Sequence, residues 1–270
     1  MTPDIRKRLK ISDHVAAKLE KLNLHTMWDL ALHLPLRYED ETRITPIRRA
    51  TAGTSCQIEG EVVHQAVVGG ARRQLSVLLK DDRQDTMQLR FIHFYPNHVR
   101  QTAIGSRIRA VGEIRANYPY NEIIHPKIYD ALGSRLAESL TPVYPTVGGL
   151  SQSALRRAIR GALDILPADD TLPDGLLQKL NLPRLTDCLH LLHAPPPEYA
   201  GLNLADSALP AWQRLKFDEL LAQQLSMRLA RQKRVSGTAA ALGGDGTLTQ
   251  ALRNALPFAL TDAQERVVSE

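Results

Sequence analysis

The sequence is short of cysteine and aromatics and has no long apolar run. Only Cys56 and Cys188 occur among 270 residues. They form no C-x-x-C and have no histidine pair at metal-ligand spacing, so both are expected to be reduced packing residues of a cytosolic protein. No stretch approaches the roughly 18 apolar residues of a membrane span. Met1-Thr2-Pro3-Asp4 does not lead into the basic-then-apolar pattern of a secretion signal. A cytoplasmic chain with no membrane partner is therefore expected. Aromatics make up only 5%, so each one outside a core asks for a reason. Catalytic motifs are missing too. Gly243, Gly244 and Gly246 are not followed by Lys-Ser or Lys-Thr, so there is no phosphate-binding loop. G-x-S-x-G and H-E-x-x-H are also absent. His93 and His98 are near each other but have no adjacent acid to build a triad or a metal shell. No catalytic residue, bound metal or resident cofactor is expected in these residues.

Apolar residues at 43% and charged residues at 23% are ordinary globular usage, and the length suits two domains. A net charge of +5 favours acidic partners, nucleic acid first. Residues 1–50 read as helical. Ser12 can cap a helix with Val15, Leu19 and Leu22 on one face, and Thr26 can cap a second with Trp28, Leu30 and Leu32, stopped by Pro35. Residues 51–135 read as strands at Gln57–Val67, Gln74–Lys80, Thr86–Phe94, Arg107–Arg115 and Glu122–Tyr129, separated by Gly69-Gly70, Asp81-Asp82, Gly105-Ser106 and Tyr118–Asn121. Five such strands predict a small closed barrel, of the oligonucleotide/oligosaccharide-binding (OB) kind or of the SH3-like kind. Residues 136–235 read as helical again, with caps at Ser151 and Thr186 and a long helix from Ser207 to Arg234 striped by Phe217, Leu220, Leu221, Leu225 and Leu229. Residues 236–246 read as a linker. Residues 247–270 hold two helix starts, the second a capping box at Thr261 and Gln264 with no stop before Glu270. That open end leads us to expect a piece of something longer.

Between residues 71 and 130 ten cations, Arg72 and Arg73 among them, and six anions leave +4. Cations on such a barrel neutralise phosphates, and aromatics stack on unpaired bases. Arg90, Arg107, Arg109 and Arg115 are candidates for phosphate. Phe91, Phe94 and Tyr95 are candidates for stacking, although period-2 alternation sets Phe91 beside Met87 and Leu89 on the core face. Phe94 and Tyr95 are the better placed pair. Tyr118 and Tyr120 flank a proline in a turn, where a structural role serves equally well. The arginines at 156–160 read as a solvated helix face.

Four strings resemble one family. Leu34-Pro35-Leu36-Arg37-Tyr38-Glu39-Asp40, Thr141-Pro142-Val143-Tyr144-Pro145 followed by Gly149-Leu150-Ser151-Gln152, Leu192-His193-Ala194-Pro195-Pro196-Pro197, and Leu256-Pro257-Phe258 with Leu260-Thr261 and Ala263-Gln264 are similar to signatures of RecG, an ATP-dependent DNA helicase family. The resemblance implies an α+β chain: an OB-like wedge barrel flanked by helical segments, ending at the start of a RecA-like motor domain. It implies a parent that uses ATP and magnesium with three-prime to five-prime polarity to unwind and branch-migrate forks and Holliday junctions. It makes branched DNA the partner, with single-strand DNA-binding protein a further candidate, and a monomer the expected state. Phe258 and Gln264 would then lie at a nucleotide-binding entry, Gln264 as an adenine reader. Two departures stand out. Lys10-Ile11-Ser12-Asp13-His14 replaces a Gly-Val-Gly hairpin, and Ile92 interrupts aromatics that are adjacent in the family. The rival expectations are a motor-free single-strand-binding adaptor and a protein-interaction barrel whose charge is incidental.

Overall fold

A computed structural model describes residues 3–69, 73–202, 209–237 and 243–269. Gly70, Arg72, Ser207 and the middle of the expected linker lie outside them. The chain divides into two compact units, residues 1–219 and 220–270. In order, the elements are α1 (Pro3–Arg8), α2 (Asp13–Glu20), α3 (Met27–Ala31), β1 (Arg37–Glu39), β2 (Ser55–Val68), β3 (Gln74–Lys80), β4 (Thr86–Phe91), α4 (Pro96–Gln101), β5 (Arg107–Arg115), β6 (Glu122–Ile124), β7 (Lys127–Asp130), β8 (Thr141–Val143), α5 (Gln152–Leu163), α6 (Asp174–Leu180), α7 (Leu185–His193), α8 (Pro210–Val235), α9 (Thr247–Ala255) and α10 (Asp262–Ser269).

The barrel closes in the order β2-β3-β4-β6-β5 and back to β2. All its contacts are antiparallel except β4 with β6, which run parallel with Gln88 opposite Glu122 and Arg90 opposite Ile124. That parallel pair, with α4 between the third and fourth barrel strands, makes this an OB barrel and removes the SH3-like alternative. β2 serves two neighbours, β5 with Ser55–Glu61 and β3 with Glu61–Val68. It bends between them at a bulge near Val62 and His64. Gly60 sits on the bend, where a Cβ would meet the Lys80 carbonyl oxygen at 2.5 Å. Alternation along β3 and β4 sends Leu75, Val77, Leu79, Met87, Leu89 and Phe91 into a core completed by Ile58, Val62, Ile108, Ile114 and Ile123.

Several expected boundaries move. The third barrel strand stops at Phe91, because Pro96 opens α4 and residues 92–95 turn away to reach it. The fifth divides into β6 and β7 at His125-Pro126, where His125 takes a φ of 51° and proline lacks an N–H for the ladder. Thr186 does not cap α7. The helix begins at Leu185, whose N–H donates to the Asp170 carboxylate at 2.8 Å, a cap from a distant loop. Ser12, Thr26 and Ser151 do cap α2, α3 and α5 with their hydroxyls.

Apart from the barrel core, α2, α3, α5 and α7 enclose a second core built on Leu19, Leu30, Leu155, Ile159 and Leu189. Three of the quoted strings meet where this frame grips the barrel. β1 pairs antiparallel with β8, Tyr38 opposite Pro142, so two strings distant in sequence form one ribbon. The Tyr38 hydroxyl donates to the Leu192 carbonyl of the third string at 2.5 Å. Next to it, His193 Nε2 lies 2.7 Å from the Ala31 carbonyl and Nδ1 lies 2.8 Å from the Tyr144 hydroxyl. A carbonyl only accepts, so Nε2 carries the proton and Nδ1 takes the tyrosine O–H. At the foot of α8, Arg214 is fully buried and bonded to Asp170, Asp218 and the Pro183 carbonyl. Burial alone would raise the Asp170 carboxyl. The Arg214 guanidinium, with the N–H groups of Leu185 and Leu172, holds it far below the usual carboxylate range.

Burial lowers the His193 imidazole to about 4, from 6.5, against the opposing pull of the Ala31 carbonyl. The unfolded chain therefore takes up a proton near pH 6.5 that the native protein refuses until about pH 4. The neutral ring contributes stability above pH 6.5 and loses it as the pH falls to 4, about 3 kcal/mol in all. Urea unfolding at pH 7.5 and pH 4.5 checks this: His193→Gln should lose less stability on acidification than the wild type, by roughly that amount.

Candidate nucleic-acid interface

On the outer face of β3, β4 and β6 the alternation leaves Ser76, Gln88 and Arg90. Gln88 Nε2 donates to Ser76 Oγ at 3.1 Å. Arg90 donates to Glu122 Oε1 at 2.5 Å, and Asn117 Nδ2 reaches the other oxygen of that carboxylate at 3.3 Å. Glu122 is buried and ties three elements together. Arg115 lies opposite Glu122 in the β5–β6 register, is exposed, and has no ion pair among the described residues. Arg90 and Arg115 thus flank one short strand on one side of the barrel.

The other two candidate arginines are elsewhere. Arg107 forms a fork with Asp82 at 2.8 and 2.9 Å and reaches Glu59 at 2.8 Å; the hydrogen bonds it donates to Asp82, then to Glu59, raise its pKa. Arg109 is 3% exposed under the turn after β7, donating to the Ser134 carbonyl at 2.5 Å and to the Ser134 hydroxyl. The Arg109 guanidinium is buried and not available to a phosphate as it stands, which corrects the expectation for it, whereas Arg107 is a partly exposed guanidinium engaged by two carboxylates. Charge counting could not separate them, because their acceptors lie 25 to 48 residues away in sequence.

Of the three candidate stackers, Phe91 is 1% exposed in the barrel core. One face of its ring is covered by His98, centroids 5.0 Å apart, and its edge meets His125 at 6.3 Å. It cannot stack on a base, as its alternation with Met87 and Leu89 already indicated. Phe94 is half-buried and packs on the same core from outside. Tyr95 is 69% exposed, its ring in an edge-type contact with His98 at 5.7 Å. The 92–95 segment leads into a helix that is tied down at both ends. Tyr95 N–H donates to His98 Nδ1 at 3.3 Å, and Gln65 Nε2 holds the far end of α4 through the carbonyls of Val99 and Thr102, each at 2.8 Å. Sequence reasoning missed Glu122 and Gln65 as positioning groups. Phe258 is exposed, and the Gln264 side-chain oxygen accepts the Thr261 N–H at 2.9 Å, capping α10. Among the described residues no cluster of three or more metal-ligating side chains occurs.

Residues 4–166 match the RecG wedge domain family. The chain belongs to that family. It is 39% identical to the ATP-dependent DNA helicase RecG of Escherichia coli K12 over 259 residues, 94% of this chain and 37% of that protein. The Haemophilus influenzae RecG is 38% identical over 95% of this chain, and the Staphylococcus aureus RecG 30% over 93%. The chain thus spans a little over a third of the length of these relatives. A solved RecG bound to a three-way DNA junction superposes over the whole chain with a TM-score of 0.64 at 23% identity, and covers the same 37% of that structure. This likeness shows the shared α+β fold.

The two kinds of arginine should separate on substitution. Arg109→Ala strands the Ser134 carbonyl and should cost about 2 kcal/mol of stability in urea unfolding. Arg115→Ala should stay within about 0.5 kcal/mol of wild type. On DNA it should lower the slope of log affinity against log salt by about one.

Proposed function

We propose that this chain is the junction-binding portion of a RecG-like ATP-dependent DNA helicase. The OB barrel is the wedge: it meets branched DNA by shape and phosphate, without reading sequence, and keeps separated strands apart. ATP hydrolysis with magnesium, unwinding of forks and branch migration would belong to the part of such a helicase beyond the matched third. The observation that carries this reading is the wedge-domain match over a barrel that presents Tyr95 on a braced segment past the end of β4. Phe94 supports that segment from below. An aromatic ring held this way can cap the last base pair at a split, and stacking of this kind contributes about 1–3 kcal/mol per base. Arg115, exposed beside Arg90, supplies charge to a phosphate. The Arg90 guanidinium is oriented by Glu122 and is therefore the weaker of the two.

Binding of the 270-residue chain to a three-way junction and to linear duplex of equal length, at matched salt, tests the proposal. The junction should bind more tightly, and Tyr95→Ala should weaken that binding about tenfold. Equal affinity for the two DNAs, or ATP turnover by the chain itself, would count against it.

A further inference from the structure

Tyr118 is 93% exposed, more than any other large apolar side chain among the described residues. It stands on the β5–β6 loop, whose base is closed by the Arg115–Glu122 register pair and by Asn117 bonding to Glu122. Pro119 follows it, restricting the backbone of both residues, and Tyr120 beside it is 37% exposed. A large ring already standing in water gives up no packing contact when it stacks, and the proline-restricted backbone adds little to the ordering cost. In OB barrels the loop between the fourth and fifth strands is one of those that meet oligonucleotides.

Its place in the barrel separates it from Tyr95. Because β4 and β6 run parallel, Asn121 lies beside the start of β4, its carbonyl accepting the Gln88 N–H at 2.9 Å, while His125 lies beside the end, its N–H donating to the Arg90 carbonyl at 2.8 Å. The Tyr118 loop and the 92–95 segment thus sit at opposite ends of one strand pair. At about 3.3 Å per residue they are roughly 20 Å apart. That is room for about four nucleotides, the lower end of OB site sizes. Gln88 and Arg90 lie between them on the outer face.

We infer that Tyr118 is a second stacking platform, taking an unpaired base of a DNA single strand at the end of the barrel opposite Tyr95. This rests on the reading of the barrel as a DNA-splitting wedge. The local charge is nearly balanced, since Glu122 neutralises Arg90 and Glu113 flanks Arg115. The contact is therefore driven by the ring rather than by counterion release.

The test uses the 270-residue chain and a fork with single-stranded arms carrying 2-aminopurine at one position at a time. Tyr118→Ala should weaken fork binding about tenfold with the salt slope unchanged. It should also relieve 2-aminopurine quenching at a position that Tyr95→Ala leaves quenched. Tyr118→Phe, which keeps the ring, should restore both. Wild-type binding and quenching by Tyr118→Ala, with Tyr95→Ala impaired, would overturn the inference and leave the wedge standing. A Tyr118→Phe variant as weak as Tyr118→Ala would also overturn it, since stacking does not need the hydroxyl. If the wild type does not prefer the fork over linear duplex, the wedge itself falls.

Discussion

A barrel proposed to hold strands apart must not swivel on its support, and one electrostatic contact bears most on that. Lys127, on β7 of the barrel, donates to both Glu39 and Glu41, at and just beyond the end of β1. The Tyr129 hydroxyl donates to the second Glu41 oxygen at 3.1 Å, and Gln57 reaches the Glu41 carbonyl at 3.3 Å. Burial alone would lower the Lys127 ammonium, yet the two carboxylates raise it, so the lysine stays charged where it is half-buried. Breaking such a group by removing one partner leaves a partly buried charge uncompensated, which is why a network of this kind resists displacement. β1, in turn, is fastened to β8 by its ladder and to α7 by Tyr38. The barrel is therefore clamped to the helical frame through backbone and charge together.

This arrangement gives the quoted strings a physical meaning different from that of a binding motif. Arg37-Tyr38-Glu39 and Thr141-Pro142-Val143 are the two strands of one ribbon, and Leu192-His193 is the surface on which it rests. They build the mount, and the groups proposed to face DNA lie on other elements. The same division runs through the arginines. Arg107, Arg109 and Arg214 are bound to acceptors of the protein itself, Arg90 is oriented by Glu122, and Arg115 projects from the end of β5. A net positive charge therefore overstates the charge available to a phosphate, because much of it is neutralised within the fold.

The aromatics show how far pattern reading reaches. Alternation alone placed Phe91 with Met87 and Leu89 on the inner face, while Pro96 set only an outer limit to a strand that stops earlier, at Phe91. Neither could say that His98 would cover Phe91, or that Gln65 would hold the far end of α4. Tyr118 was visible as a turn residue, but its exposure depends on what the loop packs against.

What the sequence determined by itself is whatever depends on neighbours a few residues apart. The caps at Ser12, Thr26 and Ser151, the period-2 cores of β3 and β4, and the breaks at glycine and proline are all set by local geometry. The family strings identified the chain on the same footing, as contiguous residues. The tertiary structure alone decided between two barrel types, because the parallel β4–β6 pair joins residues more than 30 positions apart. It also decided which arginines are neutralised and which tyrosine stands clear. Those outcomes turn on acceptors and packing partners brought together only when the barrel closes, and no local period encodes such a meeting.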